Sequence, residues 1–225
     1  INNKIDADNA SSNDRTLTLS SGTGATMTFS DAIGSAQPLA GLTITQSDGV
    51  TFASTLDITD GSPGTLTVTD TENGSDIVFN GAVTLEAVSF AQTGYDLVFN
   101  GSGNTFANAA TFQNTGTLDL GNNTNDTFVF DAGLTENTTG TVTLAGSIDS
   151  TNDDITFGAI TLATATTLDT NASDTTGDII IGAVTGANNS LTLDTTTSTG
   201  SADITFNGDI NLGTGALTVT GDVVL

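Results

Sequence analysis

The chain has 225 residues and a formal net charge of −24: 26 Asp and Glu stand against two basic side chains, Lys4 and Arg15, with no histidine and no cysteine. That composition excludes disulfides, thiolate or imidazole metal centres and any nucleophilic chemistry that needs a His or Cys partner. It also sets the chain against nucleic acid and anionic membrane surfaces, which repel it, and no run approaches the roughly 18 apolar residues that cross a bilayer as a helix.

Residues 1–15 are polar and hold both bases, so they are expected to form a cap or arm over whatever fold follows. From residue 16 onward the chain is written in short apolar-x-apolar triplets separated by Gly, Asn, Asp and Thr. Eight of them, seven ending in Phe and one in Ile, recur down the chain: Met27-Thr28-Phe29, Val50-Thr51-Phe52, Ile77-Val78-Phe79, Leu97-Val98-Phe99, Phe128-Val129-Phe130, Ile155-Thr156-Phe157, Ile179-Ile180-Ile181 and Ile204-Thr205-Phe206. Their last residues are 20 to 31 positions apart, and a strand-and-turn unit recurring at that period is the mark of a solenoid. Within a unit the strands come in threes, as in Ile77 to Phe79, Val83 to Leu85 and Val88 to Phe90, or Ile204 to Phe206, Ile210 to Leu212 and Leu217 to Val219. Gly and Asn at the corners are expected to supply positive φ.

The expected fold is therefore all-β: a right-handed parallel β-helix, or β-solenoid, of about eight three-strand coils forming one domain over residues 16–225. The Asn-Gly pairs between strands make an antiparallel β-sandwich or barrel the rival. Repeats that run in the same direction favour the solenoid, because they stack like strand on like strand. The eight final residues of the triplets would then form one interior column, and Asn80, Asn100 and Asn207 one corner ladder. Val223-Val224-Leu225 reads as the middle of a strand, an edge along which coils would continue.

Two repeated features carry candidate chemistry. Asp76, Asp96, Asp154, Asp178 and Asp203 stand three residues before the end of their triplets, with Asp126 offset by one. Stacked one coil apart they would repel by about 1 kcal/mol per neighbour even in a water-like dielectric, and a hard cation such as Ca²⁺ is the expected remedy; hydrated turn-forming aspartates are the plainer reading. The middle residues Thr28, Thr51, Val78, Val98, Val129, Thr156, Ile180 and Thr205 are all β-branched and point outward, either from strand propensity or as a flat face for lateral contact. Thr-x-Thr arrays suit ice binding in some β-solenoids, but Thr16-Leu-Thr18, Thr26-Met-Thr28, Thr43-Ile-Thr45, Thr65-Leu-Thr-Val-Thr69 and Thr218-Val-Thr220 are not expected to recur at one position of the coil. The adjacent acids Asp153 and Asp154 could serve a glycosidase only if they converged, and neighbouring strand residues point to opposite faces, so an enzyme is not expected.

The repeats Ser75-Asp-Ile-Val-Phe-Asn-Gly-Ala-Val-Thr-Leu85 and Ala202-Asp-Ile-Thr-Phe-Asn-Gly-Asp-Ile-Asn-Leu212 resemble the repetitive passenger regions of filamentous haemagglutinin-like and autotransporter-like bacterial adhesins, over roughly residues 16–225. The resemblance implies a secreted β-helical rod at a cell surface or in a matrix. The expected partners are other copies of the chain, end to end or side by side, or surface and matrix glycans; charge and hydropathy set the chain against nucleic acid and membrane insertion. A ligand-binding adhesin stalk is the alternative role.

Overall fold

The structure is a computed structural model and describes residues 1–8, 15–60, 63–70, 72–171, 176–196 and 202–224. The described residues form 25 β-strands and no helix, and every strand pairing is parallel. The antiparallel sandwich is thereby excluded, and the molecule is a β-solenoid. Successive strands fall on three faces, and a chain that visits each face in turn climbs one level per circuit. The first face begins with Thr16–Ser20, Gly41–Gln46, Thr65–Val68 and Ala87–Phe90, and ends with Ile179–Ile181, Asp203–Phe206 and Asp222–Val224. The second begins with Met27–Phe29, Val50–Phe52, Asp76–Phe79 and Asp96–Phe99; the third with Leu56–Ile58, Val83–Leu85, Asn104–Phe106 and Thr127–Phe130. Eight levels have a strand on all three faces, as expected, with partial coils below and above them, and at about 4.8 Å per level the stack is roughly 45 Å tall.

Higher up, the second and third faces run together. Val142–Ser150 and Ile160–Asp169 are single long strands that cross the corner between them, with a register shift between Leu144 and Gly146. Gly146 takes φ 79° there, and an added Cβ would lie 2.1 Å from the Asp126 carbonyl oxygen, so only glycine lets the strand bend at that point. On the first face the hydrogen-bonded ladder is interrupted between Ala87–Phe90 and Ala110–Phe112. Packing bridges the gap: the rings of Phe90 and Phe112 stack at 5.3 Å, and Gln113 Nε2 donates to the Phe90 carbonyl at 2.5 Å.

The core is the inside of the tube, filled by the alternate residues of every strand; Leu42, Leu66, Ile77, Phe79, Leu97, Phe99, Leu118, Phe130, Ile148 and Ile179 have no exposed surface. Period-2 alternation accounts for it, since each triplet turns its first and third residues inward. The single interior column expected from the triplets does not form. Phe29, Phe52, Phe79 and Phe99 do stack on the second face, with centroids 5.3, 5.0 and 4.7 Å apart and rings within 15° of parallel. The next levels of that column are Leu120 and Leu144. Phe130 stands on the third face against Phe106, 4.5 Å away, and Phe157, Ile181 and Phe206 stack on the first. The reason is spacing: the column on the second face advances 21 residues from Phe99 to Leu120, whereas Phe130 lies 31 residues beyond Phe99 and has already passed the corner.

The Asn-Gly corners also differ from expectation. Gly81, Gly101 and Gly208 do not adopt positive φ. They are needed for close approach: a Cβ on Gly101 would lie 2.2 Å from the carbonyl oxygen of Gly81 one coil below, and one on Gly81 would lie 2.4 Å from the Ser54 carbonyl carbon. This is why Asn-Gly, a hairpin signal elsewhere, marks a solenoid corner here. The Asn ladder has two members, Asn100 Nδ2 donating to Asn80 Oδ1 at 3.0 Å. Asn207 belongs to a different corner, where its amide bonds to the Ile181 carbonyl.

At the lower end residues 1–8 lie along the edge of the first coil. Ile5 bridges to Ile33, the Gly34 amide donates to the Ile5 carbonyl at 2.7 Å, and the Ala36 amide donates to Asp6 Oδ1 at 2.9 Å. Arg15 closes an ion pair with Asp8 at 2.5 Å.

Replacing Phe79, which has ring neighbours above and below and no exposed surface, by Ala is expected to lower the stability measured by urea unfolding by about 3–5 kcal/mol. Phe206→Ala, at a ring that keeps some solvent contact, is expected to cost less than half of that.

Candidate functional site

Parallel, in-register stacking places each outward side chain over its counterpart one coil away, so the surface is a set of vertical columns. The six aspartates expected in one column occupy three places. Asp76 and Asp96 are cross-strand partners at the entry to the second face. Asp154, Asp178 and Asp203 stack at the entry to the first face, tied head to tail: the Asp178 amide donates to Asp154 Oδ1 at 2.9 Å and the Asp203 amide to Asp178 Oδ1 at 2.8 Å. Asp126 leads into the third face and is buried, with Oδ2 accepting from the Asn122 and Asn123 amides, each at 2.8 Å. Among the described residues no group of three or more acidic side chains is placed to hold a metal ion. Asp96, Asp126, Asp154 and Asp178 instead accept from main-chain amides at the corners.

The same holds for two acids that the sequence does not single out. Asp70 has no exposed surface, and its oxygens accept from the Ser47 amide and hydroxyl, both at 2.8 Å, and from the Glu72 amide at 3.0 Å. Glu136 accepts from the amides of Thr138 and Gly158. A chain almost without cations satisfies buried carboxylates through backbone N–H groups.

The predicted outward stripe is likewise divided. Thr28, Thr51, Val78 and Val98 share a column on the second face, which continues through Asp119 and Thr143. Thr156, Ile180 and Thr205 belong to the first face. Val129 belongs to the third, between Thr105 and Asp149.

That third-face column contains an acidic ladder missed in the sequence: Asp149, Asp169 and Asp194 are direct cross-strand partners on three adjacent coils. Its signal is the recurring hydroxyl-aliphatic-aspartate triplet Ser147-Ile-Asp149, Thr167-Leu-Asp169 and Thr192-Leu-Asp194, hidden because the triplets lack Phe. Partial burial, and then the charge of Asp169, raise the carboxyl of Asp149 above its ordinary value against a hydrogen bond from Ser147. Burial, and then Asp194, do the same to Asp169. Burial works in the same direction on Asp194, but hydrogen bonds from Thr196 and Asn171 outweigh it and carry that carboxyl below the usual range. Asp119 and Asp76 are raised, each by burial first and then by the charge of Asp96.

The first face holds the other unforeseen pattern. Thr18, Thr43, Thr67 and Ser89 are successive cross-strand partners, flanked by Thr16, Gly41, Thr65 and Ala87. Thr26-Met-Thr28 and Thr218-Val-Thr220 lie on the other two faces, so the Thr-x-Thr segments as a set do not recur at one position of the coil, but three of them supply this short hydroxyl column. Beside the upper half of this face lies a shallow depression of about 320 Å³ between Ala109, Gly133, Thr135, Asn152, Asp153 and Asp154. Asn152 at its rim takes φ 138°, rare for a residue with a side chain. Among the described residues no helix is long and apolar enough to cross a membrane.

Comparison of the chain with protein-family models, with curated proteins and with solved structures finds no match.

The carboxyls that burial and like charge raise in the folded state contribute stability that is complete below the ordinary carboxylate value of 3.8 and is lost as pH rises through their folded values. Asp194 acts in the opposite sense, its share being lost as pH falls through its lowered value. With four raised against one lowered, the thermal midpoint at low ionic strength is expected to be higher near pH 4 than at pH 7. Asp169→Asn, which keeps the acceptor for the Asn171 amide, should raise the midpoint at pH 7 by about 2–4 °C for a relief of about 1 kcal/mol. NaCl and CaCl₂ at matched ionic strength should recover similar amounts; an extra increment specific to Ca²⁺ would place an ion on the ladder.

Proposed function

We propose that the chain is a structural rod of a bacterial cell surface or extracellular matrix, built like the repetitive regions of the filamentous haemagglutinin-like and autotransporter-like adhesins that its repeats resemble. The observation that supports this reading is the stacking itself: about eight levels of in-register parallel coil whose alternate apolar residues fill the interior and whose outward columns are mostly Thr, Ser, Asn and Asp with a few Val and Ile. Such a body is long, stiff and hydrated, and it presents the same few side chains again and again. It offers repeated weak contacts along a length, which is what a fibre or stalk needs. Its partners in this reading are other copies of itself and, secondarily, neutral glycans; a charge of −24 keeps it from nucleic acid and from anionic bilayers.

A second reading, an adhesin segment carrying a ligand site, rests on the depression beside Asp153 and Asp154 and the unusual backbone of Asn152. The two readings separate experimentally. Antibody against the chain should label intact producing cells. Material released from them, imaged by negative-stain electron microscopy in calcium and again with a chelator, should contain rods or filaments. Signal that emerges only after lysis would overturn the surface assignment. Discrete short rods that bind glycans, with binding lost in Asp153→Asn/Asp154→Asn, would favour the adhesin segment.

A further inference from the structure

The charge of the molecule is unevenly placed. None of the 26 acidic residues lies in the first five strands of the first face: Thr16–Ser20, Gly41–Gln46, Thr65–Val68, Ala87–Phe90 and Ala110–Phe112. Their outward residues are Thr, Ser, Gly, Ala and Gln. The hydroxyls of Thr16, Thr18, Thr43, Thr67 and Ser89 have no hydrogen-bond partner within the described residues, unlike those of Thr45, Thr65 and Thr69, which bond to main-chain carbonyls. In the upper half of the same face the central column stays uncharged, as Thr135, Thr156, Ile180 and Thr205; outward carboxylates line its entry edge, at Asp154, Asp178, Asp203 and Asp222, and Glu136 is turned inward. Arg15 stands at that same edge at the lower end, immediately before Thr16.

We propose that this face pairs two copies of the chain, laid antiparallel with a two-fold axis across the rods. Three observations select a second copy as the occupant. Two chains of charge −24 can approach closely only where carboxylates are absent or opposed by something else. The antiparallel arrangement sets the acids of one copy's upper entry edge against a lower edge that carries Glu86, held by the Gly64 amide, and Arg15, paired with Asp8, and brings Asp222 of each toward Arg15 of its mate. Periodicity is the second: a second copy repeats at the same interstrand spacing of about 4.8 Å, so a packing contact made at one level recurs at the next. Area is the third. Ten strands of 3 to 6 residues, about 4.8 Å apart and on average roughly 13 Å wide, give about 600 Å² per copy, the lower end of the range for stable interfaces, and an isologous two-fold contact closes on itself. The inference deepens the rod assignment above. Labelling of intact cells reports on that assignment and the mass in solution on this one, so either can fail without the other.

The test is sedimentation equilibrium of the whole chain in 0.15 M NaCl, on the order of physiological ionic strength. The expected mass is twice 22.5 kDa, with pairing weakened when salt is lowered and repulsion is less screened. Thr43→Glu/Thr67→Glu, which puts two charges on each copy's outward surface, should weaken pairing at least about tenfold. Thr84→Glu/Thr105→Glu adds the same charge to the third face and should leave pairing intact; matching circular dichroism spectra for the two variants would show that the fold is kept. The chain has no cysteine, so a short bis-maleimide reports orientation directly. The double variant Thr67→Cys/Ile180→Cys should cross-link two copies, and either single variant should not. Wild-type protein at 22.5 kDa, or a Thr43→Glu/Thr67→Glu variant that still pairs, would overturn the proposal. A monomer that instead adsorbs to ice or a neutral polysaccharide would overturn it too and give the face to that surface.

Discussion

Everything in this structure follows from parallel hydrogen bonding between successive coils in near-perfect register. A parallel ladder with no residue offset puts each side chain directly over the one a coil below, so a residue is judged by how well it tolerates its own kind as a neighbour. Inside the tube that rule is favourable. Phe on Phe at 4.7 to 5.3 Å and Leu on Leu fill a core that no helix or second sheet helps to close. At the corners it demands glycine over glycine, because Gly81 and Gly101 approach closer than any Cβ allows.

Outside the tube the same rule works against a chain of charge −24. Asp149, Asp169 and Asp194 are stacked because the strands that carry them are stacked. The molecule meets the difficulty in two ways. Where a carboxylate can turn back to the chain it becomes a structural acceptor: Asp70, Asp126 and Glu136 each hold main-chain amides that the corners would otherwise leave unpaired. Where it cannot, repulsion is left to solvent and salt. The first face avoids the problem in its lower half, whose strands hold no acids, and so offers a broad region that an equally charged neighbour can approach.

The surface features that suggest a role are therefore properties of columns rather than of single residues. A column repeats a weak contact many times over a rigid length, and this is the physical link between a solenoid and the work of a stalk, fibre or lateral contact. A catalytic site usually needs unlike groups brought together, and like-on-like stacking works against that wherever the ladder is regular. Breaks in regularity are accordingly the places to look for individual chemistry. The interrupted ladder between Ala87–Phe90 and Ala110–Phe112 is one, and the strained corner at Asn152 is another.

Period-2 triplets, recurrence in one direction and strands in threes were enough to read an all-β parallel solenoid of about eight coils from the residues alone, because burial alternation and repeat period are local properties of the chain. The strands at Ile77 to Phe79, Val83 to Leu85 and Val88 to Phe90 lie where the pattern puts them. What the residues could not reveal is phase. Coil length varies from level to level, so a triplet 31 residues after Phe99 and another 27 beyond it pass onto new faces. The eye follows Phe while the ladder follows hydrogen bonds through Leu120 and Leu144. That loss of phase scattered the expected aspartate column over three places, and it concealed both the ladder of Asp149, Asp169 and Asp194 and the array of Thr18, Thr43 and Thr67. Which residues face inward is fixed by the sequence within each strand; which outward residues become neighbours is decided only by how the chain winds between strands, since corner lengths set the register across coils.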